Sequence, residues 1–212
     1  RMGKFKDEIV PVEVVKKAAG QEVGKDVITQ DESINPGLTV QKAALYPAVF
    51  KKGGSVTPAN ACPMNDGAAG MLISTAETAQ QLGLKPMARV LGFGFTGVAP
   101  AYMGLGPATA LPKALKRAGL KYDQLDLVEI NEAFAAQVLG VAKQMQADGH
   151  GWDFEKTNVN GGAIALGHPV GATGAVIITK LLHELIRVNG RYGIATMCIG
   201  GGQGIAAIIE RM

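Results

Sequence analysis

The chain has 212 residues, of which 47% are hydrophobic and 18% charged, and this composition is typical of a compact globular protein. Its formal net charge is only +3 and its lysine and arginine residues are scattered, so no nucleic-acid partner is indicated. The two cysteines, Cys62 and Cys198, lie far apart, which excludes a disulfide framework, so we expect a cytoplasmic protein without a membrane span.

The first 56 residues are polar and mixed in character, and we predict an excursion from the main body and not an independent domain. The run from Glu8 to Val15 is predicted to pair with the shorter run Val27 to Thr29 as a hairpin. A helix is predicted from Val40 to Phe50, because Gly53 and Gly54 follow it.

Residues 55–83 begin as a loop of small residues and end in a helix. Asn65 and Asp66 are candidate N-caps for the run that follows, which either forms a helix or passes into a strand at Met71. A short helix is predicted from Glu77 to Leu82.

From residue 85 onward strands and helices alternate. Five runs are predicted to be strands: Ala88–Phe95, Leu125–Ile130, Thr157–Asn160, Tyr192–Cys198 and Gly204–Glu210. Helices are predicted over Thr109–Ala118, Asn131–Ala147 and Ala175–Ile186. Because the last two strands form a hairpin, the pattern predicts a layered α/β fold with a mixed five-stranded sheet flanked by helices.

A glycine-rich bend from Asn160 to Gly174 contains one histidine, His168, followed by a proline. The helix predicted after it has a positive N-terminal end, which disfavours an imidazolium and keeps the ring neutral. A neutral imidazole in an open bend is the form that a general base requires. A histidine that merely suits a tight turn explains these residues equally well.

Two other candidates lie at strand ends. Asn131 follows a predicted strand, at the edge where α/β folds place ligands, and could hold a water or a carbonyl group. Its commoner role would be to cap the next helix. Cys198 ends an apolar strand before a run of small residues whose N–H groups could bind an oxyanion, although an inert buried cysteine is the commoner case.

Several other chemistries are excluded by spacing. The glycines of 200–204 are not followed by a helix, so they are no dinucleotide fingerprint, and the bend at His168 lacks the Gly-Lys-Ser/Thr ending of a P-loop. No spacing of carboxylates and histidines indicates a metal site, and His150 and His183 are predicted to be surface or helix-face residues.

Three stretches together resemble the C-terminal signatures of the thiolase family in their residues, order and separations. They are Asn131-Glu-Ala-Phe134, Gly162-Ala-Ile-Ala-Leu-Gly-His168-Pro and Cys198-Ile-Gly-Gly-Gly. The loop from Val56 to Gly67 is similar to the family's coenzyme A loop, and the resemblance extends from about residue 4 to the end of the chain.

Thiolases interconvert a 3-ketoacyl-CoA plus CoA with a shortened acyl-CoA plus acetyl-CoA, through an acyl-cysteine. The resemblance implies that His168 takes the proton of the nucleophilic thiol and helps to stabilise the thioester oxygen, while Asn131 holds a water in that oxyanion hole. It implies that Cys198 is a second, acid/base cysteine and that the N–H of Gly200 contributes to a second oxyanion hole.

The same resemblance implies contacts with coenzyme A, which is a substrate here and not a covalently bound cofactor. These contacts would come from Cys62 and Met64 in the coenzyme A loop and from Phe134 in the thioester pocket. Cys62 departs from the family, which usually has a serine there that contacts the pantetheine arm, and a thiol weakens that hydrogen bond.

A second departure is larger: the sequence has no Cys-x-Ser-Gly, the setting of the family's nucleophilic cysteine. The resemblance therefore implies the C-terminal part of a thiolase, with residues 1–62 as the tail of the loop domain, 63–84 as the last segment of the N-terminal domain and 85–212 as the C-terminal domain. The missing half would carry the nucleophile, the intact protein would be a homodimer or homotetramer, and this chain alone would be inactive.

Two related enzyme classes fit less well. The sterol-carrier type of thiolase typically has a histidine in place of Asn131, and ketoacyl synthases have a second histidine in place of Cys198. A non-catalytic CoA-binding or scaffolding domain is the alternative outside enzymology.

Overall fold

The computed structural model of the chain describes residues 2–212. Its strands and helices in chain order are β1 (Val12–Ala18), β2 (Gln21–Ile28), α1 (Val40–Ala43), α2 (Ala76–Gln81), β3 (Ala88–Gly97), α3 (Gly106–Ala118), β4 (Leu127–Ile130), α4 (Ala135–Ala147), α5 (Ala163–Leu166), α6 (Thr173–Arg187), β5 (Tyr192–Ile199) and β6 (Gln203–Arg211). Short 3₁₀ turns occupy Pro100–Leu105 and Tyr122–Gln124. None of the helices in this described range is long and apolar enough to cross a membrane.

The sheet is mixed and has the strand order β3-β6-β5-β4. Strand β6 pairs antiparallel with both neighbours, whereas β4 pairs parallel with β5. The α/β layering with a mixed sheet flanked by helices is thus confirmed.

The fifth strand predicted at Thr157–Asn160 is wrong, since this segment forms only one parallel bridge, between Thr157 and Val128. Asn158 adopts a positive φ of 47°, which breaks the extended conformation. Its side-chain amide pairs instead with the edge of β4, accepting from Ile130 N at 2.8 Å and donating to Ile130 O at 2.9 Å. A side chain therefore takes the place of a fifth strand.

The two faces of the sheet bury different clusters. Because successive side chains of a strand point to opposite faces, Val128 and Ile130 of β4 pack with α3 and α4, while Leu127 packs with α6. The α6 side of this core consists of Ile177, Leu181 and Leu185, at helical spacing. Each fully buried aliphatic side chain of this size contributes about 1.5–3 kcal/mol to folding.

Glycine in β3 allows α3 to approach the sheet closely. A Cβ built on Gly94 would lie 2.9 Å from Ala114 N and closer still to Ala110 O, both fixed backbone atoms of α3. Any side chain at Gly94 would therefore push the helix away from the strand.

The N-terminal part agrees only in outline with the elements predicted from the sequence. The predicted hairpin is present as β1 and β2, which pair antiparallel. The helix predicted over Val40–Phe50 is wrong, because α1 ends at Ala43 ahead of Pro47, whose ring lacks an N–H and restricts Tyr46 before it. Residues 63–75 form neither the helix nor the strand predicted there.

Candidate active site

The site is built where β4 and β5 end. These strands are parallel, so their carboxyl ends meet at one edge of the sheet, and Asn131 follows β4 there while Cys198 lies near the end of β5. The N–H of Asn131 donates to Thr196 O at 3.0 Å, which continues the pairing one residue beyond β4. The bend that holds His168 then reaches the same edge.

Asn131 is a buried amide, only 1% exposed. Its Nδ2 lies 3.4 Å from His168 Nε2, and its Oδ1 is buried without a hydrogen-bond partner among the described residues. The residue that caps α4 is Phe134, so the helix-capping role weighed for Asn131 is wrong. An unpaired amide oxygen beside an imidazole is suited to hold a water molecule.

His168 is fixed by its backbone and by its ring. Its N–H donates to Pro63 O at 3.2 Å, and its Nδ1 lies 2.7 Å from Thr173 Oγ1. The Thr173 hydroxyl donates its only proton to Pro169 O at 2.9 Å, so it must accept from His168 Nδ1–H. This assigns the proton to Nδ1 and leaves the lone pair of Nε2 facing Asn131.

The charge state of His168 follows from its surroundings. Burial lowers the pKa of His168 below the usual value of 6.5, which keeps the ring neutral at neutral pH. A neutral ring was predicted from the helix that follows it, and α6 does begin five residues later, at Thr173. Burial is the physical cause that the structure supplies.

Cys198 is buried, at 7% exposed, and it is not paired in a disulfide. Burial raises the pKa of the Cys198 thiol, and the nearby thiol of Cys62 adds to this effect. The side chain therefore holds its proton at neutral pH and can donate it. Gly200 is exposed in the turn between β5 and β6, and its carbonyl accepts from Gln203 Nε2 at 3.1 Å.

The loop predicted to contact coenzyme A packs against the start of α4. The N–H of Cys62 donates to Ala133 O at 3.1 Å, and Ala61 bridges antiparallel to Phe134. Burial raises the pKa of the half-buried Cys62 thiol. Phe134 packs edge-on against Phe50, with ring centroids 5.8 Å apart.

Met64 stands apart from the other predicted residues of the site. Its side chain is 98% exposed, whereas its neighbour Asn65 fills the space above Gly167. Gly167 has a φ of 100°, which disfavours any other residue at this point of the bend.

The clefts in the described part of the chain include one of about 550 Å³ between residues 65–69 and 169–175, next to His168. Another, of about 870 Å³, lies at the opposite end of β4, around Tyr122 and Trp152. Within residues 2–212 there is no group of three or more histidine, cysteine or acidic side chains that could hold a metal ion.

Comparison with known proteins identifies the family of the chain. Residues 84–211 match the family described as "Thiolase, C-terminal domain", and residues 1–77 match "Thiolase, N-terminal domain". The chain belongs to the thiolase family.

Individual thiolases are similar over the whole chain. An acetyl-CoA acetyltransferase of Chromobacterium violaceum is 49% identical over 211 residues, which is 100% of this chain and 52% of that protein. The crystal structure of the Bacillus anthracis acetyl-CoA acetyltransferase has a TM-score of 0.92 at 42% identity, covering 99% of this chain and 51% of the other. Human mitochondrial 3-ketoacyl-CoA thiolase in complex with CoA has a TM-score of 0.85 at 40% identity, covering 99% and 50%.

The chain spans about half the length of the curated thiolases that it matches. The fold brings Asn131 and His168 into contact and sets Cys62 close enough to Cys198 to affect its pKa. Sequence reasoning missed Thr173, although its position five residues after His168, at the start of a predicted helix, was a usable signal.

Proposed function

We propose that this chain is the C-terminal part of a thiolase that transfers acyl groups between an acyl-CoA and acetyl-CoA, by thiolysis of a 3-ketoacyl-CoA or by the reverse Claisen condensation. The observation that carries the proposal is the Thr173–His168–Asn131 chain of contacts, which leaves a neutral base and an unpaired buried amide oxygen at one edge of the sheet. The similar proteins are named acetyl-CoA acetyltransferase or 3-ketoacyl-CoA thiolase, and one neighbour is a complex with CoA.

The first half-reaction forms the acyl-cysteine. His168 Nε2 would take the proton of a cysteine thiol supplied from outside this chain. In thiolysis the thiolate would attack the 3-keto carbon and the bond to the α carbon would break; in the condensation direction it would attack the thioester carbon of an acyl-CoA, the bond to the CoA sulfur would break, and the departing CoA thiolate would take the proton from Nε2–H. Nε2–H and a water held by Asn131 Oδ1 would stabilise negative charge on the thioester oxygen. The neutral ring that burial produces is the state from which this cycle must start.

Cys198 would exchange a proton with the α carbon of acetyl-CoA. In thiolysis the bond between the α and β carbons breaks, the acyl group stays on the nucleophile, and the acetyl-CoA enolate takes a proton from the Cys198 thiol. The raised pKa of Cys198 supports this role, since the thiol is protonated before the step. In the condensation direction the Cys198 thiolate would remove that proton. Gly200, in the turn next to Cys198, would donate its N–H to an oxyanion.

Coenzyme A contacts are proposed for Cys62, Met64 and Phe134. Support comes from the packing of the Cys62 loop along residues 133–135 and from the cleft beside His168. Coenzyme A and acyl-CoA enter as substrates in this proposal.

The domain division into residues 1–62, 63–84 and 85–212 is also proposed. The two family matches support its second boundary, because one ends at residue 77 and the other begins at 84. A missing N-terminal half is supported by exposed apolar side chains on β3, among them Val90, Phe93 and Phe95. The assembled protein is proposed to be a homodimer or homotetramer, which light scattering would measure.

Two experiments test the proposal in sequence. The intact mass of the protein from its native source, with mapping of its N-terminus, should be about twice the 22.0 kDa of this chain and include an upstream Cys-x-Ser-Gly. A native protein of 22.0 kDa would instead favour a separate subunit or a non-catalytic CoA-binding domain.

The second experiment assays acetoacetyl-CoA and CoA for formation of acetyl-CoA. We expect no turnover by the 212-residue chain alone, and turnover when it is co-expressed with the N-terminal half of the Chromobacterium violaceum relative. His168→Ala should abolish turnover while Lys143→Met, on the exposed side of α4, should not. Turnover by the chain alone, or an assembled protein that binds CoA without turnover, would contradict the proposal.

A further inference from the structure

Helix α6 presents a row of buried polar side chains to the loop that carries His168. Thr173 contacts the His168 ring, Lys180 Nζ donates to Gly161 O at 2.7 Å, and Glu184 accepts from Asn160 Nδ2 at 2.6 Å. The spacings of seven and four residues place Thr173, Lys180 and Glu184 on one face of the helix. We call these three residues the polar face of α6.

Lys180 has a second partner on the strand that leads to Asn131. Its Nζ donates to Glu129 Oε2 at 2.9 Å, and the pair is almost fully buried, with Lys180 7% and Glu129 3% exposed. Glu129 lies two residues before Asn131, and like Leu127 it points to the α6 face of β4. One ammonium group thus joins the helix of Thr173, the strand of Asn131 and the loop of His168.

Stability alone does not account for this arrangement. Taking two charges out of water costs about as much as their attraction returns, and apolar residues of similar volume often replace a buried ion pair without loss of stability. Burial raises the pKa of Glu129, an effect that the Lys180 ammonium opposes. What apolar residues could not reproduce is the hydrogen bond to Gly161 O, which holds the start of the His168 loop against α6.

We propose that Lys180 is a positioning residue of the site: by holding Glu129 and Gly161 O together it sets the separation of Asn131 and His168. The inference rests on the proposed thiolase function for its kinetic readout, but not for its spectroscopic one. Lys180 touches no reacting atom and acts only through the two segments that it joins.

The test replaces the pair as a unit, with Glu129→Leu and Lys180→Met in one variant, because removing Lys180 alone would leave a buried carboxylate without a partner. The matched control is Lys143→Met, an exposed lysine of α4. Lys180→Arg retains the charge and the donors. Should the apolar pair not fold, Glu129→Gln with Lys180→Met replaces it, since a neutral amide tolerates burial better than a carboxylate.

Three experiments are made on the chain assembled with the N-terminal thiolase half: unfolding in urea, steady-state kinetics for kcat and KM, and ¹⁵N NMR for the tautomer of His168. The chain has only three histidines, so substitution of His150 and His183 assigns the signals. We expect near wild-type stability, a kcat lower by about 10- to 100-fold and little change in the KM for CoA, because small misplacements of a catalytic group reduce the rate steeply. The Nδ1–H tautomer of His168 should become less populated. Lys180→Arg, which keeps Glu129, should retain most of the wild-type kcat and most of the wild-type Nδ1–H population.

A folded variant with unchanged kcat and an unchanged His168 spectrum would overturn the inference. The inference would also be overturned if kcat fell only in proportion to stability and if Lys180→Arg failed to retain the wild-type kcat. If the wild-type assembly shows no turnover, the proposed function fails instead, and the His168 tautomer in the variants still decides whether Lys180 positions the ring.

Discussion

The hydroxyl of Thr173 makes the most specific contact with the proposed base, and Thr173→Val removes it with little change of shape. The His168 Nδ1–H, 2.7 Å from that hydroxyl, then has no acceptor. An unsatisfied buried donor costs about 1–3 kcal/mol, and because His168 is only partly buried we expect about 1–2 kcal/mol, which is a factor of about 5–30. The ratio of the Nδ1–H to the Nε2–H tautomer should fall by that factor, and kcat/KM should fall in proportion to the remaining fraction of the Nδ1–H form.

The assay combines ¹⁵N NMR of His168 with thiolase turnover by the assembled protein. Thr173→Ser keeps the hydroxyl and should retain activity. Thr109→Val is the control, because the Thr109 hydroxyl donates to Gly106 O at 2.9 Å in the first turn of α3, contacts the Thr96 hydroxyl and makes no hydrogen bond to His168 or Asn131. The control should lose a comparable threonine–carbonyl bond without any effect on His168.

The reasoning is refuted if Thr173→Val folds, keeps the Nδ1–H tautomer and turns over at the wild-type rate. It is also refuted if Thr109→Val lowers kcat/KM as much, since the loss would then reflect general destabilisation.

Three further predictions follow from burial and packing. Because burial lowers the pKa of His168 and the base must be neutral, kcat/KM should stay constant as the pH falls to 6.5 and should decline with a midpoint below pH 6.5; a decline centred above pH 6.5 would contradict this. Cys62→Ser should lower the KM for CoA by about 2- to 10-fold in steady-state assays with little change in kcat, because a hydroxyl bonds more strongly than a thiol; a higher KM would argue against a CoA contact. Gly94→Ala should lower the free energy of unfolding in urea by about 1–3 kcal/mol, whereas Gly97→Ala, whose Cβ would meet only Gly202 O at 3.9 Å, should cost far less; equal losses would count against close packing of α3.

Much of the architecture could be predicted from local patterns. The alternation in β4 and the helical spacing in α6 gave the right elements, and the glycine-rich bend before α6 gave the right position for His168. Errors arose where a single residue overrode the pattern. Pro47 stops α1 early, and Asn158 turns the chain out of the predicted fifth strand.

For the site too, the sequence determines some features and the tertiary structure determines others. The sequence by itself determined which residues are the candidates for chemistry, because Asn131, His168 and Cys198 lie in short motifs that are recognised by residue type and order alone. It could not determine that the N-cap position of α4 is Phe134 and not Asn131, or that the amide oxygen of Asn131 is left unpaired.

Only the tertiary structure decided how these residues are held. The bond between Lys180 and Glu129 joins positions 51 residues apart, and Asn131 and His168 meet across 37. Helical and strand periodicity arise from interactions over a few residues, so they fix the face on which a side chain lies. The partner on that face depends on strand order, on register and on the packing of α6 against β4, which the whole chain settles together.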